Sequence, residues 1–205
     1  DRPPRSYRGK DVVWCLGTLG KRQVTARPAG KEHVTIAVSG SYGGATVDFR
    51  KLADRGVVLL EMAEASHSGA ISIVDDLVTN VADGDVNYLG LLAEADAYAD
   101  SSGLDLPPEE NAKIIGPDLD CTKTPIRQSD LTKRGRKTIV WATACVLDFS
   151  WLKFDAFGAD RKSMHNRFVA KLDGICSLGL PWLSMLGSSF IWGVWEDTMY
   201  LVAQI

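Results

Sequence analysis

The chain has 205 residues, of which 45% are hydrophobic and 24% charged, with a formal net charge of −3. This composition excludes collagen-like, disordered and supercharged classes, and at roughly 100–200 residues per domain it allows one domain or two small ones. The mildly acidic balance argues against nucleic acid as the main partner, because phosphate recognition usually needs a basic face.

In chain order, the pattern alternates helices and strands. Residues 10–19 carry Val12, Val13, Leu16 and Leu19 at helical spacing and end at Gly20. Residues 33–39 are rich in β-branched side chains and read as a buried strand, followed by the glycine loop 40–44. Gly43 and Gly44 there resemble a phosphate cradle between strand and helix, although a tight turn also needs glycine and the G-x-G-x-x-G pattern is absent. Residues 46–55 read as a helix closed by Gly56, 57–60 as a strand, and 61–74 as a hairpin turning at Ser68-Gly69. A long helix is predicted from about residue 75 to 101, with Leu77, Val78, Val81, Leu89, Leu92, Ala95 and Ala99 on one side. The proline-marked stretch 106–131 is loop-rich. Residues 138–143 form a strongly apolar strand, 174–180 a second short one, and 194–205 a final helix. Together these elements predict an α/β fold with a mostly parallel sheet, whose ligands sit beyond the carboxyl ends of the strands.

Charge is unevenly placed. Basic residues dominate the first 27 positions (Arg2, Arg5, Arg8, Lys10, Lys21, Arg22, Arg27), whereas between residues 75 and 120 Lys113 is the single base among many acids. Two solvated faces would explain this; so would an N-terminal segment that meets an anionic group such as a nucleotide phosphate. Residues 174–195 carry no charge, but Pro181 and several glycines and serines break the stretch, so it reads as buried in protein near a ligand and not as a membrane span. The four cysteines are far apart and lack metal-ligand spacing, which predicts reduced, mostly buried thiols, no metal site and a cytoplasmic setting. His33, His67 and His165 have no recognisable catalytic partners, and no side-chain nucleophile or acid–base pair stands out. The chain begins at Asp1 with neither an initiator methionine nor a signal-peptide core, which raises the expectation that it is part of something longer.

Several strings carry a resemblance. Tyr7-Arg-Gly-Lys-Asp-Val-Val-Trp, Val38-Ser-Gly-Ser-Tyr-Gly-Gly, Gly84-Asp-Val-Asn-Tyr-Leu, Ile139-Val-Trp-Ala-Thr-Ala-Cys, and Gly179-Leu-Pro-Trp-Leu through Gly187-Ser-Ser-Phe-Ile-Trp-Gly-Val-Trp-Glu-Asp occur in the order found in one family. In these strings the chain resembles two-domain flavoproteins similar to flavin-containing monooxygenases, of the potassium-transport type. The resemblance implies a partial Rossmann-like architecture with a hairpin and long-helix insertion. Residues 1–137 would be the remainder of an NAD(P)H-binding domain, entered past its phosphate loop, and 138–205 the closing segment of an FAD-binding domain.

The implied activity is hydride transfer from NADPH to FAD and on to oxygen or another acceptor. Thr143 and Ala144 would end the strand against the flavin nucleotide, with Ala144 where the family has glycine. Gly179, Leu180 and Pro181 would lie near the ribityl chain. Ser188, Ser189, Trp192 and Gly193 would precede the last helix, whose N-terminus suits an anionic flavin. Asp197 is either a ribityl contact or a favourable first-turn charge, and Trp182, Trp192 and Trp195 are expected mainly in the core. Arg5 and Arg8 resemble the basic run near the NADPH 2′-phosphate. Both fingerprint loops are absent, so two other readings stand: a non-catalytic remnant or interaction module, and a half-site protein completed by another chain.

Overall fold

A computed structural model describes residues 5–25, 43–44, 47–142, 148–153, 165–166, 169–170 and 174–203. The predicted strand at 33–39 and the residues Thr143 and Ala144 lie outside them. The chain divides into two units, one of residues 1–15 and 37–142 and one of residues 16–36 and 143–205.

The first unit opens with a small hairpin, β1 (Ser6–Tyr7) and β2 (Lys10–Asp11), turning on Arg8 and Gly9, both at positive φ. Such a pair is the two-residue turn whose twist matches antiparallel strands. Helix α1 (Val12–Thr18) follows directly, shorter than the periodicity suggested. In α2 (Phe49–Asp54), Asp48 caps the first turn by accepting from the Arg50 and Lys51 amides, and Gly56 follows at φ 87°, a left-handed position that suits glycine. The hairpin of β3 (Ala63–His67) and β4 (Ala70–Ile73) turns at Ser68-Gly69 as predicted, again with two positive φ values, and β5 (Gln128–Asp130) adds a third strand against β4.

Helix α3 (Leu77–Ser101) is the backbone of this unit. Leu77, Tyr88, Leu92 and Ala99 are its buried positions, a stripe at helical spacing, while Val78 is half exposed. Tyr7, Tyr88 and Leu92 form the core, flanked by Leu89, Ala95, Ala112 and Ile115. Short helix α4 (Asp120–Lys123) lies in the loop-rich stretch.

Every strand pairing among the described residues is antiparallel, so the structure combines helices with small antiparallel sheets where the sequence pattern suggested a mostly parallel one. The predicted strand at 57–60, and residues 138–142 of the one predicted at 138–143, do not pair. A run buried on both faces needs a neighbour on each edge. Here Val57, Val58 and Leu60 are exposed, and Ile139, Val140 and Trp141 more so.

Tyr7 links the hairpin to α3. Its hydroxyl lies 3.0 Å from Asp96 Oδ2, and Asp96 also takes Arg8 Nη1 at 2.8 Å and Lys113 Nζ at 3.0 Å. Burial alone would raise the Asp96 carboxyl, but hydrogen bonds from Lys113, Arg8 and Tyr7 outweigh it and hold it below the usual range. The Tyr7 hydroxyl is pushed up to about 12, first by desolvation and then by its bond to Asp96. A raised folded-state pKa stabilises fully below the unfolded value near 10 and is lost as pH rises through about 12. One tyrosine should therefore titrate about two pH units late, in a step that ultraviolet tyrosinate absorbance resolves. Asp96→Asn should bring that step down; an unchanged late step in the variant would contradict the assignment.

The second unit holds the hairpin of β6 (His165–Asn166) and β7 (Val169–Ala170), a 3₁₀ turn at Leu186–Ser189, and α5 (Ile191–Val202). The final helix thus starts three residues earlier than predicted. Residues 174–180 contain no continuous strand, only an isolated bridge at Cys176. Leu183 and Leu201 are the core, with Leu180 and Tyr200 packed on them. No helix among the described residues is long and apolar enough to cross a membrane. None of Cys15, Cys121 and Cys176 is in a disulfide, and only Cys15 is buried, so the expectation of mostly buried thiols does not hold for them.

Candidate functional site

The second unit carries an isolated buried charge. Asp197, on the second turn of α5, is 1% exposed. Ser184 Oγ donates to its Oδ1 at 2.6 Å, while Oδ2 has no hydrogen-bond partner. A buried carboxylate oxygen without a donor costs several kcal/mol unless something supplies one. In an α-helix the side chain leans toward the N-terminus, so Asp197 is directed back along α5 toward its first turn.

The loop before α5 is built to hold that carboxylate. Ser188 is completely buried, and its Oγ accepts from the Ser184 amide at 3.1 Å and the Met185 amide at 3.2 Å. These bonds curl residues 184–188 and fix Ser184 against Asp197. Leu186 and Gly187 donate to the carbonyls of Val24 and Arg22 at 2.8 and 3.0 Å, anchoring the loop to the segment after α1. Trp182, at φ 59°, has a buried indole Nε1 without an acceptor. Phe190 and Trp192 stack with centroids 4.6 Å apart, and Arg22 covers the Trp192 ring at 5.1 Å.

The sequence-predicted residues fall into three groups. Gly179, Ser188, Gly193 and Asp197 are gathered around α5: Gly179 lies beside Val194, and Gly193 is so close to the Gly187 carbonyl that a Cβ would collide with it. The missing Cβ at Gly193 is therefore taken up by the loop itself. Leu180 is packed in the core, Ser189 and Trp192 are half-buried, and Pro181 is exposed. Trp195 is 64% exposed, against the expectation that it packs in the core.

Arg5, Arg8, Gly43 and Gly44 belong to the first unit. Gly44 accepts from the Arg5 amide at 2.7 Å, and a Cβ on it would strike the Arg5 side chain, so these two positions are paired. Gly43 is exposed. Arg5 Nε meets Asp11 at 2.5 Å on the surface. Arg8 is committed more deeply, to Asp96 and to the carbonyls of Leu106 and Pro107. Ser184 belongs to no motif in the sequence, and Arg22 stands there only as one of the basic residues near the start of the chain. A polar residue between Leu183 and Met185, both buried, is the signal that marks Ser184.

The site is thus a buried acceptor at one end of a helix in a mixed α and β chain, with no group of metal-ligating side chains among the described residues. About a third of the chain is similar to proteins named as oxidoreductases. One, "Uncharacterized oxidoreductase CzcO-like" of Geobacillus kaustophilus (strain HTA426), is 37% identical over 70 residues, 34% of this chain and 20% of that protein. "Uncharacterized oxidoreductase CzcO" of Bacillus velezensis is 32% identical over 68 residues, and its counterpart in Bacillus subtilis (strain 168) 31% over 68, each match covering 33% of this chain and 20% of the relative. The chain's match thus spans about a fifth of the length of these curated relatives. No family model and no solved structure matches.

Proposed function

We propose that the chain is part of an FAD- and NAD(P)H-dependent oxidoreductase of the monooxygenase-like type, with the α5 site as its flavin contact. The observation that carries this reading is the Asp197 carboxylate, buried with one oxygen lacking a donor. The oxidoreductase names of the partial relatives support it.

The donor chemistry of the site fits a polyol. A carboxylate oxygen only accepts, so it suits the hydroxyls of a ribityl chain, and the unpaired indole N–H of Trp182 suits an acceptor on the same ligand. FAD, when bound, would supply the two-electron chemistry between nicotinamide and acceptor. Ser184 would keep the Asp197 carboxylate in one orientation, and Ser188 would keep Ser184 in place. No side chain caps the start of α5, so its first amides and the helix dipole would favour negative charge on the ligand. For NADPH, Arg5 is the better phosphate contact. Its side chain is exposed and held by one carboxylate, whereas Arg8 is engaged by Asp96 on α3 and by the carbonyls of Leu106 and Pro107.

Purified chain incubated with FAD and desalted should retain flavin absorbance and oxidise NADPH. Colourless protein that stays inert with FAD would overturn autonomous activity of the chain and favour the non-catalytic alternative. A half-site completed by another chain is the second reading, favoured by the exposed stripe of Ile191, Trp195, Met199 and Val202 on α5. Concentration-dependent dimerisation in sedimentation would support it; a monomer at every concentration would remove it.

A further inference from the structure

The first unit contains a second place built for a ligand, and it stands without the flavin reading. Val57, Val58, Leu60 and Ile126 line a cavity of about 430 Å³ together with Arg134 and Arg136. That volume is within the range of small-molecule sites, about 300–1,000 Å³. Three of the aliphatic residues are conspicuously open: Val57 is 46%, Val58 48% and Leu60 38% exposed. Exposed aliphatic groups grouped at one concavity mark a binding surface, whereas scattered ones do not.

The two arginines give the site its sign. Lys133, their neighbour, pairs with Asp130 at 3.3 Å, but neither Arg134 nor Arg136 has an ion pair among the described residues. Their backbone amides, bonded to Asp130 and Leu131 carbonyls at 3.1 and 2.9 Å, fix the turn that places both residues at the same cavity. A neighbouring cavity that shares Val57 and Val58 is lined by Asp54, Asp118 and Asp120 together with Arg50 and Lys123, and both of these cations are already in ion pairs. An anion is drawn to Arg134 and Arg136, whose charges no ion pair answers among the described residues.

We propose that this cavity binds an aliphatic carboxylate, with the acid head on Arg134 and Arg136 and the chain along Val57, Val58, Leu60 and Ile126. Guanidinium groups pair bidentately with carboxylates, and the aliphatic wall removes methylene groups from water. Among the described residues no aromatic ring lines the cavity, which favours a saturated chain over a stacking base such as that of a nucleotide.

The test is calorimetric titration of the full chain with decanoate below its micelle concentration, beside decan-1-ol, AMP and inorganic phosphate. Decanoate should bind saturably, and decan-1-ol at least about tenfold more weakly, the effect of losing hydrogen bonds to a charged group. The double variant Arg134→Gln/Arg136→Gln should lose about tenfold or more for decanoate while changing little for decan-1-ol. Val58→Asp should weaken both. These are surface positions, and circular dichroism checks that the variants stay folded. The proposal is overturned by absence of decanoate binding, by equal affinity in the double variant, or by AMP or phosphate binding as tightly as decanoate.

Discussion

Alanine at Gly193 is expected to lower the free energy of unfolding by about 3 kcal/mol, a large overpacking penalty. The new Cβ would occupy the place of the Gly187 carbonyl. That carbonyl accepts from the Phe190 amide at 3.0 Å, and the Gly187 amide is tied to Arg22 at 3.0 Å, so the loop cannot yield without breaking its own bonds. Gly90 supplies the control. It lies exposed on α3 with no atom within 4 Å of an added Cβ, so Gly90→Ala should stabilise by about 0.5–1 kcal/mol through helix propensity. Chemical denaturation of the two variants should move the midpoints in opposite directions. Equal shifts would mean that the loop before α5 does not pack as described.

The second large effect belongs to Arg50 and Asp85, which join α2 to α3 through two bonds of 2.9 and 2.5 Å. The Arg50 side chain is 7% exposed and Asp85 18%. Asp85→Ala should cost about 3 kcal/mol, because it removes the bidentate carboxylate from a guanidinium that is nearly dry. Replacing both, as Arg50→Met/Asp85→Leu, should recover most of the loss, since a hydrophobic pair avoids the desolvation that an ion pair must offset. A double variant as unstable as Asp85→Ala would show that the pair sets the packing of α2 and not merely its charge balance.

The parts of this structure that were legible in the sequence are the ones governed by neighbours a few residues away. The Ser68-Gly69 hairpin follows from turn chemistry, and α3 from a stripe repeating every three or four residues. The unpaired runs at 57–60 and 138–142 show the limit of such signals. An apolar run declares a preference for burial, but only a neighbouring strand turns it into a ladder. Long-range partners were equally hidden. Tyr7 meets Asp96 across 89 positions and Arg50 meets Asp85 across 35, and no spacing rule links either pair. In the candidate site, Asp197, Ser188 and Gly193 were visible as motif positions. Ser184, which makes the shortest bond to Asp197, was not, because a single serine in an apolar loop carries no periodicity.

The proposed flavin contact rests on one oxygen, and flavins with and without a polyol chain isolate it. Equilibrium binding of FAD and of lumiflavin, which lacks the ribityl chain, should be measured on the chain and on Asp197→Asn by fluorescence titration. The expected result is FAD affinity about tenfold weaker in the variant, the cost of losing a hydrogen bond to a charged acceptor, with lumiflavin affinity unchanged. FAD that binds neither protein, or binds both equally well, would contradict the account.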